Sequence, residues 1–243
     1  MSQTTNDAYS RTADRPQFPK TKAVTTPRAR LLFPHVVEVD YGTDDYPCKE
    51  GRFATSFLLT EADAAAFRAK LEPLYEHVTR CAEAEFNALK PAQRKKLGDY
   101  SIVELGEDDF DRDGNPTGLV RFRCKTGAFY EQRDGSRKQR VIPMFDGMAQ
   151  RVTLGEDPGN GTEARLSVTP GYYFVNATGQ AGLTLYLNAV QILKLVKRGE
   201  RDAGDYGFEA CDDPDEVFSA SSGASGETGP SEDSGTSTNA GDF

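Results

Sequence analysis

The residues best suited to chemistry are acidic. Asp109, Asp111 and Asp113, in DFDRDG (109–114), copy the first half of a calcium-binding EF-hand loop, where alternate carboxylates ring the ion. The second half is missing. With Asp109 as first ligand the twelfth position is Val120, where that loop needs a bidentate glutamate, and no helix pattern flanks it. The segment reads instead as a hairpin turn built on Asp113, Gly114 and Asn115. With Glu104, Glu107 and Asp108, the same acids could imitate a two-metal nuclease site, since paired carboxylates hold magnesium. A metal-dependent nuclease using Asp109, Asp111 and Asp113 is therefore the rival reading, although no basic or histidine partner is placed to assist. His77 and Cys81 stand four apart on a helical pattern, but with one further histidine in the chain they do not complete a metal site. The glycine-rich GEDPGNG (155–161) matches neither GxxxxGK[ST] nor GxGxxG, and no GxSxG occurs. No enzyme and no cofactor are expected.

A binding surface has positive support. In GLVRFRCK (118–125), Val120, Phe122 and Cys124 alternate with Arg121, Arg123 and Lys125, so a strand there points three cations one way. Their spacing, about 6.6 to 6.8 Å per two residues, is close to that of phosphates along an extended single strand. Phe129 and Tyr130 follow that strand, and Tyr172, Tyr173, Phe174 and Tyr186 lie in later ones. Rings that stack under bases, beside cations that neutralise phosphates, are the two components of sequence-tolerant binding to single strands. Adjacent like charges otherwise destabilise a sheet, which favours a polyanionic ligand. Arg28 and Arg30, just ahead of the first strand pattern, join the candidate DNA-facing set.

The elements that would position these residues are mostly strands. LLFPHVVEVDY from Leu31 and GRFATSFLL (51–59) are β-branched and apolar, with Pro34 allowing an edge or bulge. RVIPMFD from Arg140, EARLSVTPGYYFV from Glu163 and GLTLYLNAVQILKL from Gly182 add more, separated by turn residues. Between them, Thr60 and Asp63 form a capping box, and Phe67, Leu71, Leu74, Val78, Ala82 and Phe86 trace one buried helical stripe to about Leu89. Pro73 predicts a kink near Glu72. Many short strands and one long helix describe a small closed or half-closed barrel.

Charge is unevenly distributed. The chain of 243 residues has net charge -9, yet all 29 basic residues fall within the first 201 positions, and the last 42 carry 11 acids and no base. The expected organisation is a flexible N-terminal arm (1–19), one domain (20–208) and an acidic disordered tail (209–243). Phe243, the last residue, is the one large apolar group in the final 25. A terminal ring behind many acids suits docking in a basic pocket, and the same acids could occupy the domain's own cationic groove. No run approaches the roughly 18 apolar residues of a membrane helix, and no signal-peptide core is present. Four widely spaced cysteines (Cys48, Cys81, Cys124, Cys211) read as reduced thiols.

Several blocks, taken in order, are familiar: VRFRCK (120–125), RLSVTPGYY (165–173) leading into GLTLYLNAVQILKL (182–195), DYGFE, DEV (215–217) and the final GDF, with a weaker YGTDDYPCKEGRFATSFLL (41–59). In these the chain resembles the acidic-tailed replication single-stranded DNA-binding proteins of tailed bacteriophages. That resemblance implies a mainly β, OB-fold-type five-stranded barrel with one long helix, sequence-independent binding and annealing of single-stranded DNA, a role in replication, recombination and repair, and a homodimer. It further implies a tail that contacts the phage polymerase and helicase-primase, no membrane partner, and residence in the cytoplasm of the infected bacterial host. Arg123 and the PGYYF aromatics are the positions it would place on DNA, and Asp242 and Phe243 match the tail end. Trp is absent, so stacking falls to Tyr and Phe.

Overall fold

The structure is a computed structural model that describes residues 16–199. The expected acidic tail, with Asp242, Phe243 and Cys211, lies outside the described residues. In chain order, β1 (Val24–Thr25) and β2 (Ala29–Gly42) lead into β3 (Pro47–Thr60), followed by α1 (Glu61–Leu71), one 3-10 turn (Glu72–Leu74) and α2 (Tyr75–Ala88). Then come α3 (Pro91–Leu97), β4 (Ser101–Val103), β5 (Glu107–Phe110) and β6 (Pro116–Gly127). A hairpin of β7 (Phe129–Glu131) and β8 (Arg137–Gln139), the short β9 (Met144–Phe145) and β10 (Arg151–Val152), and the long β11 (Glu163–Val175) and β12 (Gln180–Lys194) complete it.

Five long strands close on themselves in the order β11, β2, β3, β6, β12 and back to β11. All neighbours are antiparallel except β6 and β12, which run parallel with Leu185 opposite Cys124 and Tyr186 opposite Lys125. Closure between β2 and β11 rests on the short register Arg30 to Glu163 and Ala29 to Ala164. Alternation along each strand fills the interior: Phe53 and Phe57 of β3, Val120, Phe122 and Cys124 of β6, Leu166 and Val168 of β11, and Leu185 and Leu187 of β12 are all buried. The helix seals one side. Phe67 meets Phe122 edge-on at 5.6 Å, and Phe122 stacks on Phe57 at 5.4 Å.

The helix follows its sequence cues. The Thr60 hydroxyl accepts from the Asp63 amide at 3.2 Å and donates to the Asp63 carboxylate at 3.0 Å, so the reciprocal bond of the box runs through the hydroxyl rather than the Thr60 amide. Pro73 sits in the 3-10 turn that joins α1 to α2, because its ring removes a helical hydrogen bond. One segment differs from expectation. The strand expected from Arg140 shrinks to Met144–Phe145, since Pro143 has no N–H to donate and Val141 is exposed. The basic run Arg94, Lys95, Lys96 forms the last turn of α3. Residues 16–19, grouped by composition with the arm, include Phe18, which stacks on Tyr172 at 5.9 Å.

Cys48, Cys81 and Cys124 are free thiols. Burial pushes Cys124 from 9.0 up to about 12, the Thr55 backbone contact offsetting it only in part. A thiol that is neutral in the folded state and ionised in the unfolded one stabilises the fold below the unfolded value, and that contribution is lost as pH rises toward the folded value. Unfolding free energy should therefore fall between pH 9 and about 12 with a Cys124 share of about 1.4 kcal/mol per pH unit. Denaturant titrations of the wild type and Cys124→Ala across that range check this: the two curves should converge as pH rises, and parallel curves would refute it.

Candidate nucleic-acid interface

The outward faces of β3, β6, β11 and β12 border a cleft of about 680 Å³. Arg52 and Ser56 reach it from β3, Arg121, Arg123 and Lys125 from β6, Tyr173 from β11 and Thr184 from β12. Cross-strand register explains the grouping, since Ala54 stands opposite Lys125 and Ser56 opposite Arg123. The three-cation face expected of β6 is thus present, and it shares one cleft with an aromatic of the PGYYF segment.

The cations are not bare. Every cleft arginine already holds a carboxylate: Arg52 binds Asp40 at 2.7 Å, Arg123 binds Glu107 at 2.8 Å, and Arg121 pairs with Asp109. The partners Glu107 and Asp109 come from β5, which lies antiparallel along β6. The like-charge repulsion invoked from sequence is therefore relieved within the chain. Exposure separates the pairs. Arg121 and Asp109 are 28% and 7% exposed, and Asp109 also accepts from the Thr117 hydroxyl at 2.8 Å, so this pair is structural. Arg123 and Glu107 are 71% and 57% exposed, a pair worth about 0 to 1 kcal/mol that a phosphate can replace. Lys125 has no ion pair among the described residues. Desolvation alone would raise Asp40, but hydrogen bonds from Arg52 and the Gly42 amide outweigh it and hold the carboxyl below its usual range.

The helix sets the cleft rim. Arg68 donates to the Leu105 carbonyl at 2.8 Å, and the Tyr75 hydroxyl accepts from the Leu105 amide at 2.9 Å, fixing the residues that lead into β5. Burial pushes the Tyr75 phenol up. Gly106, at φ +90°, lets that turn lie on Phe122, where a Cβ would come within 2.8 Å of the ring.

The aromatics divide by strand parity. Tyr173 faces out and lies against Gly182, while Tyr186 lies over Gly171. Each ring rests on a residue without a side chain; Tyr186 is exposed and neighbours Lys125 in register, while Tyr173 is half-buried and burial pushes its phenol up. Tyr172 and Phe174 face the opposite way, packed against the core, and burial raises Tyr172 well above the usual phenol range. Arg28 pairs with Glu163, and Arg30 is exposed on β2; neither lines the cleft.

Sequence reading missed Phe33 and Arg52. Phe33 lines the cleft, is 66% exposed and has φ 49°. It sits in a β2 bulge, where Leu32 opposes Ser56 and His35 opposes Ala54, leaving Phe33 and Pro34 against one residue of β3. The Phe-Pro pair inside a strand pattern was the available signal. Arg52 was legible as the outward neighbour of buried Phe53.

The acids of the rival nuclease reading build turns. Asp111 accepts from the Asn115 amide at 2.8 Å, the Asn115 side chain at 3.1 Å and the Asp113 amide at 2.9 Å, bonds that hold its carboxyl below the usual range. Asp109 is committed to Arg121, and no group of three metal-capable side chains converges among the described residues. No helix among these residues is long and apolar enough to cross a membrane.

The strand order, the closure and the parallel contact between the third and fifth barrel strands define an OB-type barrel, whose second and third strands carry the ligand face in that fold. Here those strands are β3 and β6. Among solved structures, gp2.5, a single-stranded DNA binding protein encoded by bacteriophage T7, is similar with a TM-score of 0.51 and 17% identity, over 83% of this chain and 100% of that one. The C-terminally truncated single-stranded DNA-binding protein from bacteriophage Enc34 matches at 0.45 and 14%, over 71% and 86%. The Enc34 protein in complex with ssDNA matches at 0.42 and 12%, over 74% and 88%. No family model matches the chain, and no curated protein matches it.

Proposed function

We propose that this chain is a sequence-independent single-stranded DNA-binding protein of the acidic-tailed bacteriophage replication family, a binding protein rather than an enzyme. One observation carries the reading: an open cleft on the ligand face of an OB-type barrel holds the exchangeable cations Arg123 and Lys125 together with the exposed Phe33 ring and the half-buried Tyr173 ring, and the exposed Tyr186 stands opposite Lys125 on the neighbouring strand. The T7 protein with the same fold binds single-stranded DNA, as its name states. In this reading phosphates replace Glu107 on Arg123 and bases stack on the tyrosines. The protein coats and anneals strands during replication, recombination and repair in the cytoplasm of the infected host. It acts as a homodimer, and its tail, ending in Asp242 and Phe243, recruits polymerase and helicase-primase.

The test is a salt titration of binding to single-stranded DNA, duplex and RNA oligonucleotides. Single-stranded DNA should bind, with affinity falling steeply as salt rises, by about 0.7 log units per log of salt for each phosphate neutralised. Absence of binding in dilute buffer would refute the proposal. Removing residues 209–243 should tighten binding in the same titration, because a competing polyanion is lost. An unchanged or weaker affinity would show that the tail does not occupy the cleft.

A further inference from the structure

The β7–β8 hairpin lies outside the barrel, between its third and fourth strands, and closes no part of it. A two-stranded hairpin on its own is marginally stable in water. This one is anchored through one face: Arg137 lies 4.4 Å over the Phe129 ring and donates to Glu50 of β3 at 2.7 Å. Glu131 stands opposite Arg137 on the same face, so that face is balanced in charge.

The other face is different. Tyr130 stands opposite Lys138, and the Arg140 guanidinium lies 5.5 Å from the Tyr130 ring centre. Arg140 is held there by its Nε, which donates to the Gly127 carbonyl at 3.1 Å, and by its amide, which donates to the Ala128 carbonyl at 2.7 Å. Gln132 and Ser136 continue this face by alternation, bonded to each other at 2.9 Å. The nearby acid, Asp134, is turned onto Ser136 within the tip. An exposed ring is thus flanked by two cations, neither of which holds an ion pair among the described residues, in contrast to the cleft, where every arginine is paired. It begins five residues beyond Lys125, at most about 18 Å along the chain.

We propose that this Tyr130, Lys138 and Arg140 face is a second contact for single-stranded nucleic acid, taking up the strand as it leaves the cleft, with a base stacked on Tyr130 and phosphates on Lys138 and Arg140. It rests on the function proposed above. It also extends the ligand path past the strands and loops that an OB barrel ordinarily uses. Phosphate and base together are the chemistry that an exposed ring beside unpaired cations selects.

The experiment compares full-length wild type, Tyr130→Ala with Lys138→Ala, and Tyr130→Phe on oligothymidylates of about 6 and about 16 nucleotides, near the limits of single-barrel site sizes. The double substitution should weaken the longer oligonucleotide by about tenfold or more, leave the shorter one unchanged and preserve the melting temperature. Tyr130→Phe, which keeps the ring, should bind like the wild type. Equal affinities on both lengths, or an equal loss on both, would overturn the hairpin contact while leaving the cleft reading intact. Should the double variant melt early, Lys138→Gln alone must still reproduce a loss confined to the longer strand, or the inference falls. Wild type that binds neither oligonucleotide would refute the function itself.

Discussion

Reversing the charge at Arg123 and Lys125 together is expected to weaken binding of single-stranded DNA about 100-fold and to lower the salt dependence by about 1.4 log units per log of salt, two phosphate contacts at about 0.7 each. The loss should be confined to binding. Arg123 gives up only an exposed pair worth about 0 to 1 kcal/mol, and Lys125 gives up none, so melting should barely change. Arg121 is the contrasting case. Arg121→Ala strands Asp109, 7% exposed, without its cation, and should destabilise the fold by about 3 kcal/mol. Glu107→Gln serves as an internal control, because removing the carboxylate that competes for Arg123 should tighten binding severalfold. Fluorescence anisotropy at several salt concentrations and a thermal melt of each variant separate these effects. Full affinity in the Arg123 and Lys125 reversal would remove the cleft from the binding path.

The same β6 strand shows what the sequence discloses and what it withholds. Strict alternation of Val120, Phe122 and Cys124 with Arg121, Arg123 and Lys125 fixes which side chains are inside, because parity is a local property. Parity could have sorted PGYYF as well, had the strand been anchored on Leu166 and Val168. A register error of one residue exchanges Tyr173 for Tyr172 and turns a stacking ring into a core one. The pairing of Glu107 with Arg123 and of Asp109 with Arg121 is a different matter. It depends on β5 returning alongside β6, and a run of acids before a turn reads equally well as a solvated loop. The hairpin faces are hidden for a similar reason: FYEQRDGSRKQ (129–139) is mixed in charge along the chain, and only register separates Tyr130 and Lys138 from Glu131 and Arg137.

GEDPGNG offered no phosphate cradle in sequence, and its role lies in shaping β2. Asp157 is 1% exposed, and its Oδ1 accepts from the amides of Val36 at 2.8 Å, Val37 at 2.7 Å and Glu38 at 3.2 Å. Asn160 accepts from the Phe33 amide at 2.7 Å. These bonds replace the ladder that the bulge interrupts, and they hold Phe33 at a φ that costs a non-glycine residue about 1 kcal/mol or more. Asp157→Ala leaves three donors without an acceptor and should lower stability by about 3 kcal/mol, a fall in melting temperature of about 6 to 12 °C for a domain of this size. Asp157→Asn keeps an oxygen in place of Oδ1 and should lose about 1 kcal/mol. If the bulge is what presents Phe33 to the ligand, Asp157→Ala should also weaken single-stranded DNA at temperatures where the variant is folded, and Phe33→Ala in that background should add little further loss. Additive losses in that double-mutant cycle would mean that Phe33 reaches the cleft without the clamp, and a melting temperature unchanged by Asp157→Ala would mean that water serves the three amides as well as the carboxylate does.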